Sequence, residues 1–279
     1  MIRFPRRVAI IGLGQIGGSL AMALRMARPA LHLTGIDTSS KRSALLRGIL
    51  NARSAKWEAA AGADLIVVCL HFGETIRFLQ NAPRLPLIMD VCSAKRKILA
   101  GANRRKLRFI GGHPMAGNER PAEKGWDAKL FEGTPFFLCR SKGATAADLA
   151  LATQLARAVG ARPLVVDPAE HDRAVALTSH LPALLSAAYV KFARSVPSKY
   201  HGPGYRSFTR LARTSPALLQ TFLDANGDLI RAAFRRWRNA PAKRILSSAG
   251  AGWKPAILNA GKDAGATRAS SGAPPSRRH

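Results

Sequence analysis

Val8-Ala9-Ile10-Ile11-Gly12-Leu13-Gly14-Gln15-Ile16-Gly17 lies near the start of this 279-residue chain. Its first four residues are a short apolar run that reads as a buried parallel strand. The next six fit the pattern G-x-G-x-x-G. From Gln15 to Arg28 the spacing is helical, with Ile16, Leu20, Ala23 and Leu24 on one side. Alone the glycine pattern is weak. Here a strand precedes it, a helix follows it, and Asp37 stands about 20 residues further on, at the end of a second strand, Leu31 to Ile36. In a dinucleotide site the first glycine allows a tight turn, the second lets the backbone approach a pyrophosphate, and the third lets helix and strand pack closely. The pyrophosphate then sits on the helix N-terminus. Gly12, Gly14, Gln15, Ile16, Gly17 and Asp37 are therefore the candidate cofactor residues. Asp37 would accept hydrogen bonds from ribose hydroxyls and repel a 2′-phosphate, which favours NAD. Lys41 and Arg42 follow closely and could hold such a phosphate, so NADP stays open.

Further strands are read over Asp64 to Leu70, Leu87 to Met89, Phe136 to Leu138 and Pro163 to Val166, with a helix from Ala146 to Val159. Strand–helix alternation of this kind predicts an α/β fold with a Rossmann-type doubly wound sheet. The pattern changes after Asp167. Pro168 to Arg194 is helical, with Val175, Leu181, Leu184 and Leu185 on its apolar side. Ser215 to Arg238 is helical again, opened by an N-cap serine and a first-turn proline. The expected organisation is a dinucleotide-binding domain over 1–167 and an all-α C-terminal domain over 168–239. A weakly structured basic tail rich in Ala, Gly, Ser and Pro would fill 240–279.

Composition narrows the class. With 47% hydrophobic residues the chain is an ordinary globular protein, but its formal net charge is +28. The basic residues are spread along the whole chain, and neither zinc-finger spacing nor an aromatic-rich RNA-binding signature accompanies them. No nucleic-acid partner is expected. Cys69, Cys92 and Cys139 are odd in number, far apart and set among apolar neighbours, which suits reduced thiols in a cytoplasm. Arg6-Arg7 before an apolar run imitates a signal peptide, but glycines and Gln15 interrupt that run. No stretch has the apolar length of a membrane span.

Three further segments carry chemistry. Phe109-Ile110-Gly111-Gly112-His113-Pro114 reads as a short strand followed by a Gly-Gly and Pro-bounded turn that presents an exposed imidazole. Asp90-Val91-Cys92-Ser93-Ala94-Lys95 follows the Leu87–Met89 strand, at the carboxyl edge where α/β folds bind ligands. Ser93 there is either a helix N-cap or a partner for a reacting hydroxyl. Arg206 and Arg210 are four apart, so one helix would project both from the same side as a carboxylate receptor. His171, Asp172 and His180 imitate a metal set. The helical i, i+4 histidine pair and a third ligand are missing, so no metal is expected.

Taken together, the glycine fingerprint, Asp90 to Lys95, Gly111 to Glu119, His171 to Pro182 and Gly204 to Arg210 resemble the prephenate/arogenate dehydrogenase family of tyrosine biosynthesis. The resemblance covers roughly residues 6–238. It implies a Rossmann domain joined to a helical domain that also forms a homodimer. It implies NAD-dependent oxidative decarboxylation of prephenate or arogenate by a cytoplasmic enzyme. His113 would accept the hydroxyl hydrogen bond, Ser93 would fix that hydroxyl or the imidazole, and Arg210 would hold the ring carboxylate. Arg206 and Glu119 would line the pocket's rim, with His180 at or just behind the substrate site. Members specific for prephenate often carry a histidine after the Ser-His-Leu-Pro run, where this chain has Ala183. That departure implies a weaker preference for prephenate's keto-acid side chain and acceptance of arogenate. A non-catalytic dinucleotide-binding protein of this fold and a β-hydroxyacid dehydrogenase are the competing readings.

Overall fold

In a computed structural model, which describes residues 3–82, 86–118, 120 and 122–239, the apolar runs become the inner strands of one sheet. The strands are β1 (Arg7–Ile11), β2 (His32–Ile36), β3 (Ala52–Ser54), β4 (Leu65–Val68), β5 (Leu87–Asp90), β6 (Phe109–Pro114), β7 (Pro135–Arg140) and β8 (Arg162–Val165). Their order is β3-β2-β1-β4-β5-β6-β7-β8, parallel throughout except where β7 runs against β6. Every residue of β4 and β5 is buried, as in strands covered on both faces.

Helices α1 (Gln15–Ala27) and α5 (Ala146–Ala158) cover one face, packing Leu20, Leu24 and Leu155 onto Val8, Ile10 and Val67. Following the short α2 (Ser40–Leu45), α3 (Phe72–Asn81) and α4 (Arg96–Arg104) cover the other face with Leu79, Ile98 and Leu99. The sheet is therefore doubly wound. The strand order reverses between β1 and β4, and the carboxyl ends of those two strands flank the crevice where such sheets bind ligands.

From Pro168 the chain is helical. Asp167 caps α6 (Pro168–Val175) by accepting from the N–H groups of Ala169 and Glu170. A π-helical turn over Ala176–His180 leads into α7 (Leu181–Phe192). The short α8 (Pro203–Phe208) and a 3₁₀ turn over Thr209–Arg213 precede α9 (Pro216–Arg238), which Ser215 caps through the Leu218 N–H and which kinks at Asn226. Ala176, Leu181, Ala183, Phe222 and Ile230 form the core of these helices. This change of element type at Pro168 falls inside a compact unit that ends at Arg235. The expected tail, 240–279, lies outside the described residues.

One segment departs from its sequence reading. Gly111-Gly112-His113-Pro114 is not a turn but the last four residues of β6, paired antiparallel with β7 so that His113 faces Phe137 in register. Its glycines serve close packing. A Cβ on Gly111 would press the Lys95 side chain at 3.0 Å, and one on Gly112 would meet the Asp90 carbonyl oxygen at 2.5 Å. His113 is consequently buried, 8% exposed, rather than displayed on a loop.

The third fingerprint glycine gives the first test. A Cβ on Gly17 would overlap the carbonyl oxygen of Gly12 and crowd Cys69. Gly17→Ala is expected to cost about 1–3 kcal/mol through overpacking, read as a lower urea midpoint with an unchanged m-value.

Candidate active site

The crevice at β1 and β4 is built by the opening glycines. Gly12 holds φ at +91°, a conformation other residues rarely adopt, and its N–H donates to Ile36 O at 2.7 Å. A Cβ on Gly14 would meet nothing within 4 Å, so the mouth of the turn is open. Helix α1 has no side-chain cap, and its N–H groups first turn inward at Gly18, which donates to Gly14 O. An open approach over uncapped helical N–H groups fits the pyrophosphate of a dinucleotide.

Asp37 ends β2 beside this turn. Its carboxylate accepts the Leu13 N–H at 2.7 Å and the Ser39 N–H at 2.7 Å, and pairs with both the Nε and Nη2 of Arg42. Burial pushes the Asp37 carboxyl up, but the Arg42 hydrogen bond and the two N–H donors outweigh it and hold the group below the usual range. The Gln15 side chain is turned to the segment after β6. Its side-chain amide donates to the backbone oxygens of Asn118 and Arg120, and its carbonyl oxygen accepts the Asn118 N–H. Gln15 thus ties the segment after β6 to α1, and the Trp126 indole N–H reinforces the tie by donating to Gly14 O.

At the ends of β5 and β6 lies a fully buried ion pair. The Lys95 Nζ donates to Asp90 Oδ1 and Oδ2 at 2.8 and 2.6 Å and to the Gly112 carbonyl oxygen at 2.6 Å. Asp90 Oδ1 in turn accepts the Gly112 N–H at 3.2 Å. Both backbone groups of the residue before His113 are thereby fixed. The His113 Nδ1 is 2.8 Å from the Nε2 of His171, whose Nδ1 is 2.8 Å from Asp172 Oδ1. Asp172 also accepts the N–H groups of Lys95 and Arg96 at 2.7 and 2.9 Å, capping α4 from another helix. Burial pushes Asp172 up, while the His171 hydrogen bond and these N–H donors outweigh it and hold the carboxyl low. Burial first, then the neighbouring His171 and Lys95, depress the His113 pKa well below its ordinary value. A neutral imidazole at a sheet's carboxyl edge can accept a proton from a substrate hydroxyl.

The remaining candidates are placed as follows. Ser93 is half-buried between Asp90 and Lys95, and the cap of α4 is Lys95 rather than Ser93. His180 has no exposed surface; it stacks on Phe222 at 4.3 Å and faces the amide of Asn226. Burial lowers its pKa to about 4 against the charge of Asp172. Arg206 is on α8 and Arg210 in the following 3₁₀ turn, so the two do not share one helix. Both are exposed, and Arg206 donates to His201 O. Glu119 lies outside the described residues. Sequence reasoning missed the roles of Lys95, Asp90 and His171. The signal available was a Lys five residues after a strand-ending Asp. Burial pushes the Cys92 and Cys139 thiols up to about 12, which leaves neither a thiolate at neutral pH.

Residues 20–165 match the family model for the prephenate dehydrogenase nucleotide-binding domain, and residues 167–247 match the model for the prephenate dehydrogenase dimerization domain. A prephenate dehydrogenase of Lactococcus lactis subsp. cremoris is 28% identical over 240 residues, 80% of this chain and 66% of that protein. A cyclohexadienyl dehydrogenase of Zymomonas mobilis is 28% identical over 79% of this chain and 81% of its own length. The chain thus spans about two thirds of the length of the Lactococcus relative. Among solved structures, the prephenate dehydrogenase from Aquifex aeolicus, in complex with hydroxyphenyl propionate and NAD+, superposes with a TM-score of 0.76. Identity there is 25%, covering 88% of this chain and 92% of that one. An arogenate dehydrogenase from Synechocystis shares the fold with a TM-score of 0.71 at 24% identity, over 88% of this chain and 93% of that one.

Two outcomes follow from the buried charges. Lys95→Met leaves the Asp90 carboxylate buried without its counter-charge and is expected to cost about 3–5 kcal/mol in denaturant unfolding. Adding Asp90→Asn should recover part of that loss. His113 and His180 titrate below 6.5 in the folded chain, so near neutrality and below, the unfolded chain binds protons that the folded chain does not. Stability therefore falls as pH drops through 6.5 toward about 4. Urea titrations at stepped pH should show this, with a flatter slope for His180→Phe.

Proposed function

The chain belongs to the prephenate dehydrogenase family, and on that premise we propose that it catalyses the NAD-dependent oxidative decarboxylation of prephenate or arogenate in tyrosine biosynthesis. The observation that carries this reading is a neutral, backbone-fixed His113 at the same sheet edge as an open dinucleotide turn. The dinucleotide, held by the first turn of α1 and by Asp37, supplies an acceptor for the hydride on the hydroxyl-bearing ring carbon. His113 accepts the hydroxyl proton as that hydride leaves, and the carbon becomes a carbonyl. The opposite ring carbon then loses its carboxylate as CO₂. Its bonding pair aromatises the ring, and the proton returns from His113 to the new phenolic oxygen. No net proton is released in that sequence.

Ser93, beside the strand end that carries Asp90, is assigned to the substrate hydroxyl. Arg210 is assigned to the ring carboxylate, with Arg206 at the rim. Ala183 packs into the helical core with Phe222 and Ile230, so position 183 supplies no donor to the substrate's side chain. Arogenate is accepted alongside prephenate on that account. The assembly is a homodimer through the helical region. Its candidate face is a groove of about 520 Å³ lined by Leu181, Leu184, Leu185, Ala188, Ile230 and Phe234. The enzyme is placed in the cytoplasm, in keeping with three free cysteines. Among the described residues no helix is long and apolar enough to cross a membrane.

The test offers the purified protein prephenate and arogenate separately, each with NAD+ or NADP+, and follows reduced cofactor. Turnover with NAD+ and at least one substrate is expected; no turnover in any pairing overturns the reading. His113→Asn should lower kcat by roughly 10²–10⁴-fold with dinucleotide affinity retained. Unchanged kcat in that variant removes His113 from the chemistry.

A further inference from the structure

We propose that His171 and Asp172 form a positioning relay that fixes the tautomer of His113 and takes up its charge during turnover. The proposal rests on the dehydrogenase reading of His113, but its first test does not. The Asp172 carboxylate can only accept. It already receives the Lys95 and Arg96 N–H groups, so the His171 Nδ1 beside it at 2.8 Å must carry a hydrogen. A neutral His171 then presents a lone pair at Nε2. The His113 Nδ1, 2.8 Å away, must therefore be the donor. With its one hydrogen committed there, neutral His113 has its lone pair at Nε2, the tautomer that can accept a hydroxyl proton.

The surroundings hold that arrangement in place. His171 and Asp172 are adjacent on α6, and both are buried. Phe137 of β7 packs edge-on against the His171 ring at 5.3 Å, while the two imidazoles meet at 81° with centroids 5.1 Å apart. Asn226 at the α9 kink donates to the Asp172 carbonyl oxygen at 2.8 Å, so α6 is braced from behind. The charged and titratable groups around His113 are Lys95 with its partner Asp90, His171 with Asp172, and His180. When His113 takes a proton at Nε2, its Nδ1 proton can pass to His171 Nε2. The positive charge then sits on the ring paired with Asp172, away from Lys95. The reverse shift accompanies return of the proton to the product oxygen, so protons balance around the cycle.

The first test needs no turnover. ¹⁵N NMR of the intact protein labelled at histidine should show His113 protonated at Nδ1 and bare at Nε2 above its pKa. A bare Nδ1 with a protonated Nε2 overturns the relay, whatever the substrate proves to be. The second test compares His171→Phe with His171→Gln. Phenylalanine can accept nothing, whereas the glutamine carbonyl oxygen can still receive the His113 N–H. His171→Phe should lower kcat by roughly 10²–10⁴-fold with little change in KM for the dinucleotide, because a base in the wrong tautomer costs up to about 10⁴-fold. It should also move the acid limb of the pH–rate profile, and His171→Gln should recover at least tenfold of the rate. Equal kcat for wild type and His171→Phe, or equal loss in both variants with each folded, overturns the proposal. If His171→Phe does not fold, the NMR result and the His171→Gln pH profile decide it.

Discussion

Lys95 carries an ammonium group to a place with no solvent exposure, where an unpaired charge would cost several kcal/mol. It is stable there because Asp90, equally buried, takes two of its protons and the Gly112 carbonyl oxygen takes the third. That requirement dictates much of the surrounding structure. Strands β5 and β6 must lie side by side in parallel register, with Asp90 opposite Gly111. A side chain at 111 would press on the lysine stem, and one at 112 would overlap the Asp90 carbonyl oxygen. With Gly112 held at both its N–H and its C=O, the direction of the next residue, His113, is set by the backbone rather than by its own rotamer alone.

The same short segment joins the α/β part to the helices that follow. Its backbone N–H groups at Lys95 and Arg96 end on Asp172 of α6, and the Arg96 guanidinium reaches Asp228 and Asn226 on α9. Lys97 adds a bond to the Asp224 carbonyl oxygen. Helix α4 thus begins with a carboxylate from α6 in place of a cap of its own, which also suits the positive end of its dipole. The kink at Asn226 is where α9 turns its amide toward Asp172 and His180. Asp172 therefore caps a helix and orients an imidazole with its carboxylate, and takes the Asn226 amide at its backbone carbonyl oxygen.

Much of the fold was legible because its signals are local. Buried parallel strands read as continuous apolar runs, and Val8–Ile11, Leu65–Val68 and Leu87–Met89 are such runs. Gly12, Gly14 and Gly17 sit at fixed offsets because a turn, an open approach and a close packing each need one. Helices α3 and α4 are amphipathic but span only ten and nine residues, so each offers few turns over which a helical period can be read. The site was read less well. Gly-Gly before a proline has the composition of a turn, and only pairing with β7 shows it to be strand. Gln15 belongs to the fingerprint, yet its amide is spent on Asn118 and Arg120, a contact across more than a hundred residues.

By itself, the sequence determined the doubly wound sheet, the glycine turn of the dinucleotide crevice and the switch to helices near Pro168. Each of these depends on residue type and short-range spacing. Tertiary structure alone decided that His113 is buried, that Lys95 and Asp90 hold the backbone before it, and that His171 and Asp172 stand behind it. Those facts depend on residues 58 apart in the chain meeting at 2.8 Å. No local pattern encodes such a meeting, because burial and hydrogen-bond direction are set only when strands and helices from distant parts of the chain pack together.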